Sequence, residues 1–197
     1  MHHVIALTGP KGSGKDAVGQ LIKELYPHYE VRTIAFADPI KKAIEHIFQL
    51  PVDGISLQDH QAYDAFKRSR LSFDLPGIGM QAIDTRHVVR EIGMLMREYD
   101  ESQFNTYIHD TIMSQPLDGE RIDVVTDLRF DNEYTFLKRI GAKIIKINRP
   151  NYHYDGHITE RGFDDQLVDK VILNDGDLEF LSTRVKIVVD SLLQEKQ

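Results

Sequence analysis

The sequence predicts a three-layer α/β/α fold, in which helices cover both faces of a mostly parallel sheet. Two observations predict it. Apolar segments typical of buried strands alternate along the 197 residues with segments whose apolar residues recur at helical spacing. A glycine-rich segment, residues 9–14, joins the first strand to the first helix. No linker or internal repeat interrupts this order, so we expect one domain over residues 1–197.

The elements follow from the apolar pattern. Strands are predicted where β-branched and aromatic residues cluster, at 4–7, 29–36, 122–126, 142–147 and 171–173. Helices are predicted where apolar residues recur every three or four positions, at 17–25, 38–48, 85–99, 104–113, 132–140 and from 177 onward. Residues 49–84 are rich in proline and glycine and contain a short basic piece, 63–71, that we expect to be helical. We therefore expect a helical excursion from the core over about 38–114.

Composition narrows the class of partner. The net charge is −7 and the pI about 5.7, and no basic stripe compensates for the acidic total. This argues against a protein that binds nucleic acid and favours small-molecule partners. The chain has no cysteine, no signal-peptide pattern and no apolar run of membrane-spanning length. We expect a cytoplasmic protein without membrane contact.

The glycine-rich segment carries the strongest functional signal. It reads Gly9-Pro10-Lys11-Gly12-Ser13-Gly14-Lys15-Asp16 between the first strand and the first helix. Backbone N–H groups of such a loop converge on phosphate oxygens, and Lys15 reaches the outer phosphates. The sequence therefore predicts a P-loop NTPase-type fold that binds a nucleoside triphosphate. Most such loops carry Ser or Thr where this chain has Asp16, so we expect Mg²⁺ to be held there through water.

A second polar segment, Thr126-Asp127-Leu128-Arg129-Phe130-Asp131-Asn132-Glu133, lies where a predicted strand ends and a helix begins. Open α/β sheets bind ligands at this edge. Asp127 can hold magnesium-bound water or accept a proton, and Arg129 can bind a phosphate. The alternative is that Asp131 caps the helix and Arg129 pairs with Glu133.

Arginines are frequent in the middle of the chain. They are Arg68, Arg70, Arg86, Arg90 and Arg97. The last three share one face of the helix after Thr85, which suggests an anion. The alternative is a solvated face with ion pairs to Glu91 and Glu98. Residues 149–165 are polar and glycine-containing, which is typical of a lid over an active site.

These motifs, in this order, resemble the phage-type deoxynucleoside monophosphate kinases, a P-loop kinase family related in fold to adenylate and thymidylate kinases. The resemblance spans nearly the whole chain. It is carried by Lys15-Asp16, Phe36-Ala37-Asp38-Pro39-Ile40-Lys41, Thr85-Arg86 leading to Gly93, Asp127-x-Arg129-Phe130-x-Asn132-Glu133, Asn148-Arg149-Pro150, His157-x-Thr159-Glu160 and Asn174-Asp175-Gly176.

The resemblance implies transfer of the γ-phosphoryl group of Mg-ATP to a deoxynucleoside monophosphate. It implies ATP contacts from Gly9, Lys11, Gly12, Ser13, Gly14, Lys15, Asp16 and Arg149. It implies acceptor contacts from Ile40, Lys41, Arg68, Arg86, Arg90, Gly93, Phe104, Asp127, Arg129 and Glu133. The catalytic residues would be Lys15, Arg86, Asp127 and Arg129, the magnesium carboxylates Asp16 and Asp127, and the lid residues His157, Glu160 and Arg161.

Several departures and alternatives stay open at this point. The family usually carries Gln and Thr where this chain has Arg90 and Met94, and a tryptophan near Phe104, so the resemblance does not predict the base. Relatives suggest a homodimer, although Met94-Leu95-Met96 equally fits a buried core face. A phosphomevalonate kinase of the animal type shares the Lys-Asp loop and is the nearest alternative. A P-loop ATPase switch that moves a partner protein is the other.

Overall fold

The computed structural model describes residues 1–47, 65, 70–75, 79–114, 119–150 and 162–194. Its strands are β1 (His2–Thr8), β2 (Glu30–Ile34), β3 (Arg70–Leu75), β4 (Gly79–Asp84), β5 (Arg121–Val125), β6 (Lys143–Asn148) and β7 (Lys170–Leu173). Its helices are α1 (Lys15–Leu25), α2 (Asp38–Ile47), α3 (Thr85–Tyr99), α4 (Gln103–Met113), α5 (Asp131–Arg139) and α6 (Leu178–Gln194). Every predicted core element is present within two residues of its expected ends.

Five strands form a parallel sheet in the order β2-β5-β1-β6-β7. The central strand β1 pairs with β5 on one side and with β6 on the other. Because all five strands run the same way, their carboxyl ends meet at one edge of the sheet. The segments that follow β1, β5, β6 and β7 therefore start from the same edge, which is the edge where the motifs lie.

The predicted α/β class is confirmed by the packing of one face of the sheet. Apolar residues of β1, β5, β6 and β7 form a buried core with residues of α1 and α6: Ile5, Leu7, Ile122, Val124, Ile145, Ile147, Ile172, Val18, Leu21, Ile22, Leu181, Val185, Val189 and Leu192. All five residues of β5 are buried. Its apolar residues Ile122, Val124 and Val125 are β-branched, which is why the sequence pattern located the strand although Arg121 and Asp123 interrupt it.

The other face of the sheet buries charge beneath the end of α4. The carboxylate of Asp123 in β5 is fully buried and accepts hydrogen bonds from Arg32 Nε at 2.7 Å and Nη2 at 2.9 Å. His2 Nε2 lies 2.7 Å from the same carboxylate and Arg121 Nε lies 3.4 Å from it. Arg121 also donates to the carbonyl oxygen of Ile112 at 3.0 Å. Cations are favourable at a helix C-terminus, so this cluster fastens α4 to the sheet.

The chain divides into two compact units, residues 1–36 with 108–197, and residues 37–107. The second unit contains α2, α3, the start of α4 and an antiparallel hairpin of β3 and β4. Gly93 of α3 is buried against α2, where a Cβ atom would lie 3.0 Å from Ile40 Cδ1. The absence of a side chain at Gly93 is what lets these two helices approach closely.

The hairpin corrects one prediction. The helical piece expected at 63–71 is wrong at its end, because Arg70 and Leu71 lie in β3. The excursion is therefore not wholly helical. Leu71, Phe73 and Leu75 alternate with polar residues, a pattern typical of a strand. The surrounding proline and glycine residues favoured the prediction of an irregular segment instead. Of residues 63–69, the structure describes Ala65, which is helical.

No helix in the described part of the chain is both long enough and apolar enough to cross a membrane.

Candidate active site

The phosphate loop between β1 and α1 has a backbone that favours glycine. Gly9, Gly12 and Gly14 have positive φ angles of 138°, 73° and 104°. At Gly9 a Cβ atom would also lie 2.3 Å from the carbonyl oxygen of Ile147, far inside van der Waals contact. The loop therefore lies so close to β6 that a side chain at Gly9 would force the loop or the strand to move.

Lys15 closes the loop on itself. It is the first residue of α1 and is 7% exposed. Its ammonium donates to the carbonyl oxygens of Gly9 at 2.8 Å and of Pro10 at 2.9 Å. Ser13 Oγ is also buried in the loop and has no hydrogen-bond partner within the described residues. The loop thus places a cation and a hydroxyl at the N-terminus of α1, where the helix dipole favours anions.

Asp16 is exposed in the first turn of α1. Within the described residues no three His, Cys, Asp or Glu side chains come close enough to hold a metal ion by themselves. Mg²⁺ ordinarily binds one or two carboxylates together with substrate phosphates and water. Asp16 and the strand-end residue Asp127 are carboxylates of the kind this arrangement uses, so they fit a magnesium ion that arrives with a nucleotide.

The end of β5 is tied to β1 and β2. Leu128 N–H donates to Leu7 O at 3.2 Å, and Thr8 Oγ1 donates to Leu128 O at 3.0 Å. Asp127 Oδ1 accepts the backbone N–H of Phe36 at 2.7 Å. The phosphate loop and Asp127 therefore start from adjacent, hydrogen-bonded strand ends, as the sequence predicted for the motif after β5.

Glu133 holds the backbone of this second segment. It is 1% exposed, and its Oε2 accepts the N–H of Arg129 at 2.9 Å and of Phe130 at 3.1 Å. The N-cap position of α5 is Phe130, so Glu133 supplies the N3 half of a capping box, whereas a phenyl ring cannot accept the reciprocal bond. Asp131 is the first residue of α5 and is exposed, so it does not occupy the cap position.

Two residues from later strands contact the phosphate loop. Arg149, directly after β6, donates from Nη1 to Gly12 O at 3.3 Å. Asn174, directly after β7, donates from Nδ2 to Ser13 O at 2.8 Å. Arg149 was expected near the nucleotide. Asn174 was noted only within a motif, although the alternation of buried Ile172 and Asn174 along β7 is a signal that its side chain points inward.

The predicted acceptor residues Ile40, Lys41, Gly93 and Phe104 belong to the second unit. Lys41 Nζ lies 2.8 Å from Asp38 Oδ1, and both side chains are 13% exposed. Phe104 is 1% exposed, and the guanidinium of Arg97 lies 4.4 Å from its ring centroid, within range of a cation–π contact. Arg97 was placed on the arginine face by sequence but was not among the predicted site residues.

Two of the remaining predicted residues, Arg86 and Arg90, belong to α3. Arg90 is exposed on α3, with Nη2 3.2 Å from His87 Nδ1 and Nε 3.8 Å from Glu91 Oε1, which agrees with the solvated-face alternative at that position. Arg86 lies in the first turn of α3. Outside the described residues lie Arg68 and the lid residues His157, Glu160 and Arg161.

Comparison with known proteins decides the family. A model of the deoxynucleotide monophosphate kinase family matches residues 79–185, which is more than half of the chain. The chain belongs to this family. The matched stretch includes α3, the segment of Asp127 and Arg129, and Asn174.

Two viral relatives agree with that assignment. A deoxynucleotide monophosphate kinase named in Acanthamoeba polyphaga mimivirus is 27% identical over 206 residues, covering 97% of this chain and 98% of the relative. The deoxynucleotide monophosphate kinase of Enterobacteria phage T4 is 41% identical over 64 residues, covering 32% of this chain and 27% of the relative.

A solved structure, dephospho-CoA kinase from Campylobacter jejuni, superposes with a TM-score of 0.51 at 15% identity and covers 98% of both chains. At that identity the likeness concerns the fold, and it confirms the P-loop α/β class. As a deoxynucleotide monophosphate kinase, the protein is a phosphotransferase with a nucleotide substrate. The phosphomevalonate kinase and ATPase-switch alternatives are not favoured.

Proposed function

We propose that this kinase transfers the γ-phosphoryl group of Mg-ATP to the 5′-phosphate of a deoxynucleoside monophosphate, giving a deoxynucleoside diphosphate and ADP. The observation that carries the proposal is the phosphate loop, whose positive-φ glycines and buried Lys15 ammonium lie at a helix N-terminus. The family assignment supplies the acceptor class.

The donor site in this proposal is the phosphate loop with Arg149. Its members are Gly9, Lys11, Gly12, Ser13, Gly14, Lys15, Asp16 and Arg149. Lys15 would exchange its carbonyl partners for phosphate oxygens, which are stronger acceptors because they are charged. Support comes from the burial of Lys15 and from the hydrogen bond of Arg149 to Gly12, which brings a second cation to the loop.

Mg²⁺ belongs to this proposal, with Asp16 and Asp127 as carboxylates that hold it through water. Bound to the nucleotide, the ion would neutralise charge on the transferring phosphate. Asp127 keeps a fixed orientation by accepting the Phe36 N–H at 2.7 Å, which supports its role as an oriented acceptor for a water ligand.

The acceptor site in this proposal uses Ile40, Lys41, Arg68, Arg86, Arg90, Gly93, Phe104, Asp127, Arg129 and Glu133. The catalytic residues are Lys15, Arg86, Asp127 and Arg129, because phosphoryl transfer needs positive charge around the transferring oxygens and one oriented carboxylate. Glu133 would act by holding the backbone of Arg129, given its burial and its two accepted N–H groups. Phe104 would act by holding the guanidinium of Arg97 against its ring in a cation–π contact.

The lid of this proposal is 149–165, with His157, Glu160 and Arg161 joining Arg149 when it closes. Closure excludes water and so protects ATP from hydrolysis. The cell compartment we propose is the cytoplasm, the host's if the gene is viral, and the partners are small nucleotides without nucleic acid. A homodimer is part of the same proposal, supported by the exposed apolar residues Met94, Leu95 and Tyr99 on α3.

The test is a direct assay. The purified protein is incubated with Mg-ATP and each of the four deoxynucleoside monophosphates separately, and diphosphate formation is followed beside a Lys15→Ala variant. We expect one or more acceptors to be phosphorylated, with the rate reduced at least about a hundredfold by the substitution. Phosphorylation of none, with phosphomevalonate accepted instead, would overturn the proposal.

A further inference from the structure

Asn174 occupies a fixed position at the end of the last strand. Its backbone N–H donates to Asn148 O at 2.7 Å, which continues the pairing of β6 and β7 by one residue. Side chains alternate along a strand, so Asn174 shares the buried side of β7 with Ile172. The two residues are 9% and 1% exposed. The pairing of β6 and β7 therefore fixes the direction of the Asn174 side-chain amide.

That amide points at the phosphate loop. Asn174 Nδ2 donates to Ser13 O at 2.8 Å, a buried hydrogen bond between residues 161 positions apart. At Gly14 a Cβ atom would lie 2.5 Å from the same Nδ2, so the contact leaves no room for a side chain there. Gly14 also has a φ of +104°. Asn174 thus fits against the Ser13–Gly14 peptide as a specific partner.

The hydrogen bond fixes the direction of a donor that phosphate needs. In a trans peptide the C=O and the following N–H point to opposite sides of the chain. Because Asn174 holds the carbonyl of Ser13 toward β7, the N–H of Gly14 points away from β7. A carbonyl that rotated would carry this N–H with it, and a phosphate-binding loop works by presenting its N–H groups together.

The segment that carries Asn174 is itself braced. Arg184 of α6 donates from Nη1 to Leu173 O and, at 2.7 Å, to Asp175 Oδ1. The same guanidinium lies 4.2 Å from the ring centroid of Phe180. Residues on both sides of Asn174 are therefore held by α6, so the amide can transmit their position to the phosphate loop.

We propose that Asn174 is a positioning residue for phosphoryl transfer, which holds the Ser13–Gly14 peptide so that Gly14 N–H faces the polyphosphate of the donor nucleotide. The inference rests on the proposed function, in which the phosphate loop binds ATP. It assigns Asn174 to the polyphosphate rather than to the base, the sugar or the acceptor. A purely structural role would affect stability without selecting one ligand over another.

The test compares two variants at this position with a matched control. Asn174→Ala removes the donor, and Asn174→Asp has nearly the same shape but cannot donate when ionised. Asp177→Ala is the control, because Asp177 lies in the same segment but its Oδ1 accepts the N–H of Phe180 at 2.9 Å, a bond within α6 and its N-terminus, not one to the loop. Calorimetry measures binding of ATP and of inorganic tripolyphosphate, a ligand with no base or sugar, and steady-state kinetics give kcat and both KM values.

We expect both Asn174 variants to bind ATP and tripolyphosphate about tenfold more weakly, the effect of leaving one buried carbonyl unpaired. KM for the acceptor should change less than about twofold, and Asp177→Ala should bind both ligands as the unmodified protein does, with only a lower Tm. Unchanged tripolyphosphate binding in both Asn174 variants would overturn the inference, whether or not ATP binding changes.

A Lys15→Ala variant separates this inference from the proposed function. If Lys15→Ala binds tripolyphosphate normally, the phosphate loop is not the donor site and the proposed function fails. If Lys15→Ala loses tripolyphosphate while the Asn174 variants retain it, the donor site stands and the role of Asn174 is wrong. Asn174→Asp also guards against misfolding of the alanine variant, because it preserves the volume of the side chain.

Discussion

The carboxylate of Glu133 accepts the backbone N–H of Arg129 at 2.9 Å. The same oxygen accepts the N–H of Phe130 at 3.1 Å. A buried carboxylate on the first turn of α5 therefore shapes the segment that leads out of β5. The backbone beside Asp127 is fixed by a residue four positions beyond Arg129.

The first prediction follows from those two hydrogen bonds. Glu133→Ala leaves two N–H groups unpaired, so we expect a loss of about 1–3 kcal/mol in the free energy of unfolding. We also expect kcat to fall about tenfold or more, because Asp127 and Arg129 lose their fixed backbone. Urea unfolding and steady-state kinetics measure the two effects. Glu133→Gln keeps one acceptor oxygen and should recover most of the stability, and equal losses in both variants would contradict the argument.

Gly9 provides a second prediction, since it combines a φ of +138° with a Cβ position 2.3 Å from Ile147 O. Gly9→Ala must displace either the phosphate loop or β6. We expect loss of measurable ATP binding and of kinase activity. The matched control is Gly141→Ala, where φ is +81° but, apart from the chain neighbours, no atom of the described residues lies within 4 Å of the added Cβ.

Gly141→Ala should cost about 1 kcal/mol of stability through backbone strain alone and leave the kinetic constants unchanged. Calorimetric titration with ATP and thermal unfolding give both comparisons. Normal ATP binding by Gly9→Ala would show that the loop accommodates a side chain.

The buried charges around Asp123 provide a third prediction. Asp123→Ala leaves Arg121, which is 2% exposed, without its carboxylate partner. Removing one partner of a buried pair costs about 3–5 kcal/mol, so we expect a large fall in the midpoint of urea unfolding.

Asp123 is the middle residue of β5, and its partners His2, Arg32 and Arg121 are not among the predicted site residues, so kcat per folded molecule should be unchanged well below the midpoint. The control is Asp110→Ala, since Asp110 pairs with His109 at 3.1 Å with its side chain 70% exposed. That change should cost less than about 0.5 kcal/mol. Similar midpoints for the two variants would show that Asp123 is not stabilising.

Asp169 gives a prediction about pH. Burial opposes its ionisation, but the backbone N–H of Ile144 at 2.7 Å and the ammonium of Lys138 at 3.1 Å outweigh burial, so the pKa of the Asp169 carboxyl lies below its usual value. A carboxyl with a lowered pKa stabilises the fold at pH values above the unfolded pKa of about 3.9. The contribution is lost as the pH falls through the folded pKa.

Asp169→Asn keeps an acceptor for Ile144 but loses the charge, so it should lower Tm at pH 7 by about 2–4 °C, the effect of about 1 kcal/mol in a chain of this size. The difference in Tm between the two proteins should shrink as the pH is lowered below about 4. Thermal unfolding at several pH values measures it, and a difference that stays constant down to pH 3 would refute the assignment.

Sequence located the elements because local periodicity determines them. The strand Arg121–Val125 is buried throughout, and its β-branched residues Ile122, Val124 and Val125 predicted it although Asp123 lies among them. The phosphate loop could also be predicted from the sequence, because the spacing of Gly9 and Lys15 determines a local geometry. The hairpin of β3 and β4 was missed because its alternation lies among proline and glycine.

The contact of Asn174 with the phosphate loop could not be predicted from local sequence patterns, for a different reason. Its partner, Ser13, is 161 positions away, and the contact exists because β7 pairs with β6 and β6 pairs with β1. Strand order is set by packing of the whole sheet and not by any local pattern. For Glu133 the spacing identified Arg129 as a neighbour, but spacing alone does not predict that the carboxylate accepts the backbone N–H of Arg129.

The phosphate loop takes hydrogen bonds from Arg149 and Asn174, and the last of these residues follows β7. During synthesis, the glycines and Lys15 leave the ribosome first, long before the strands that shape them. ATP stabilises only a conformation to which it binds. In the proposed function, ATP would therefore stabilise most strongly a chain whose last strand has joined the sheet and whose Asn174 holds the Ser13–Gly14 peptide.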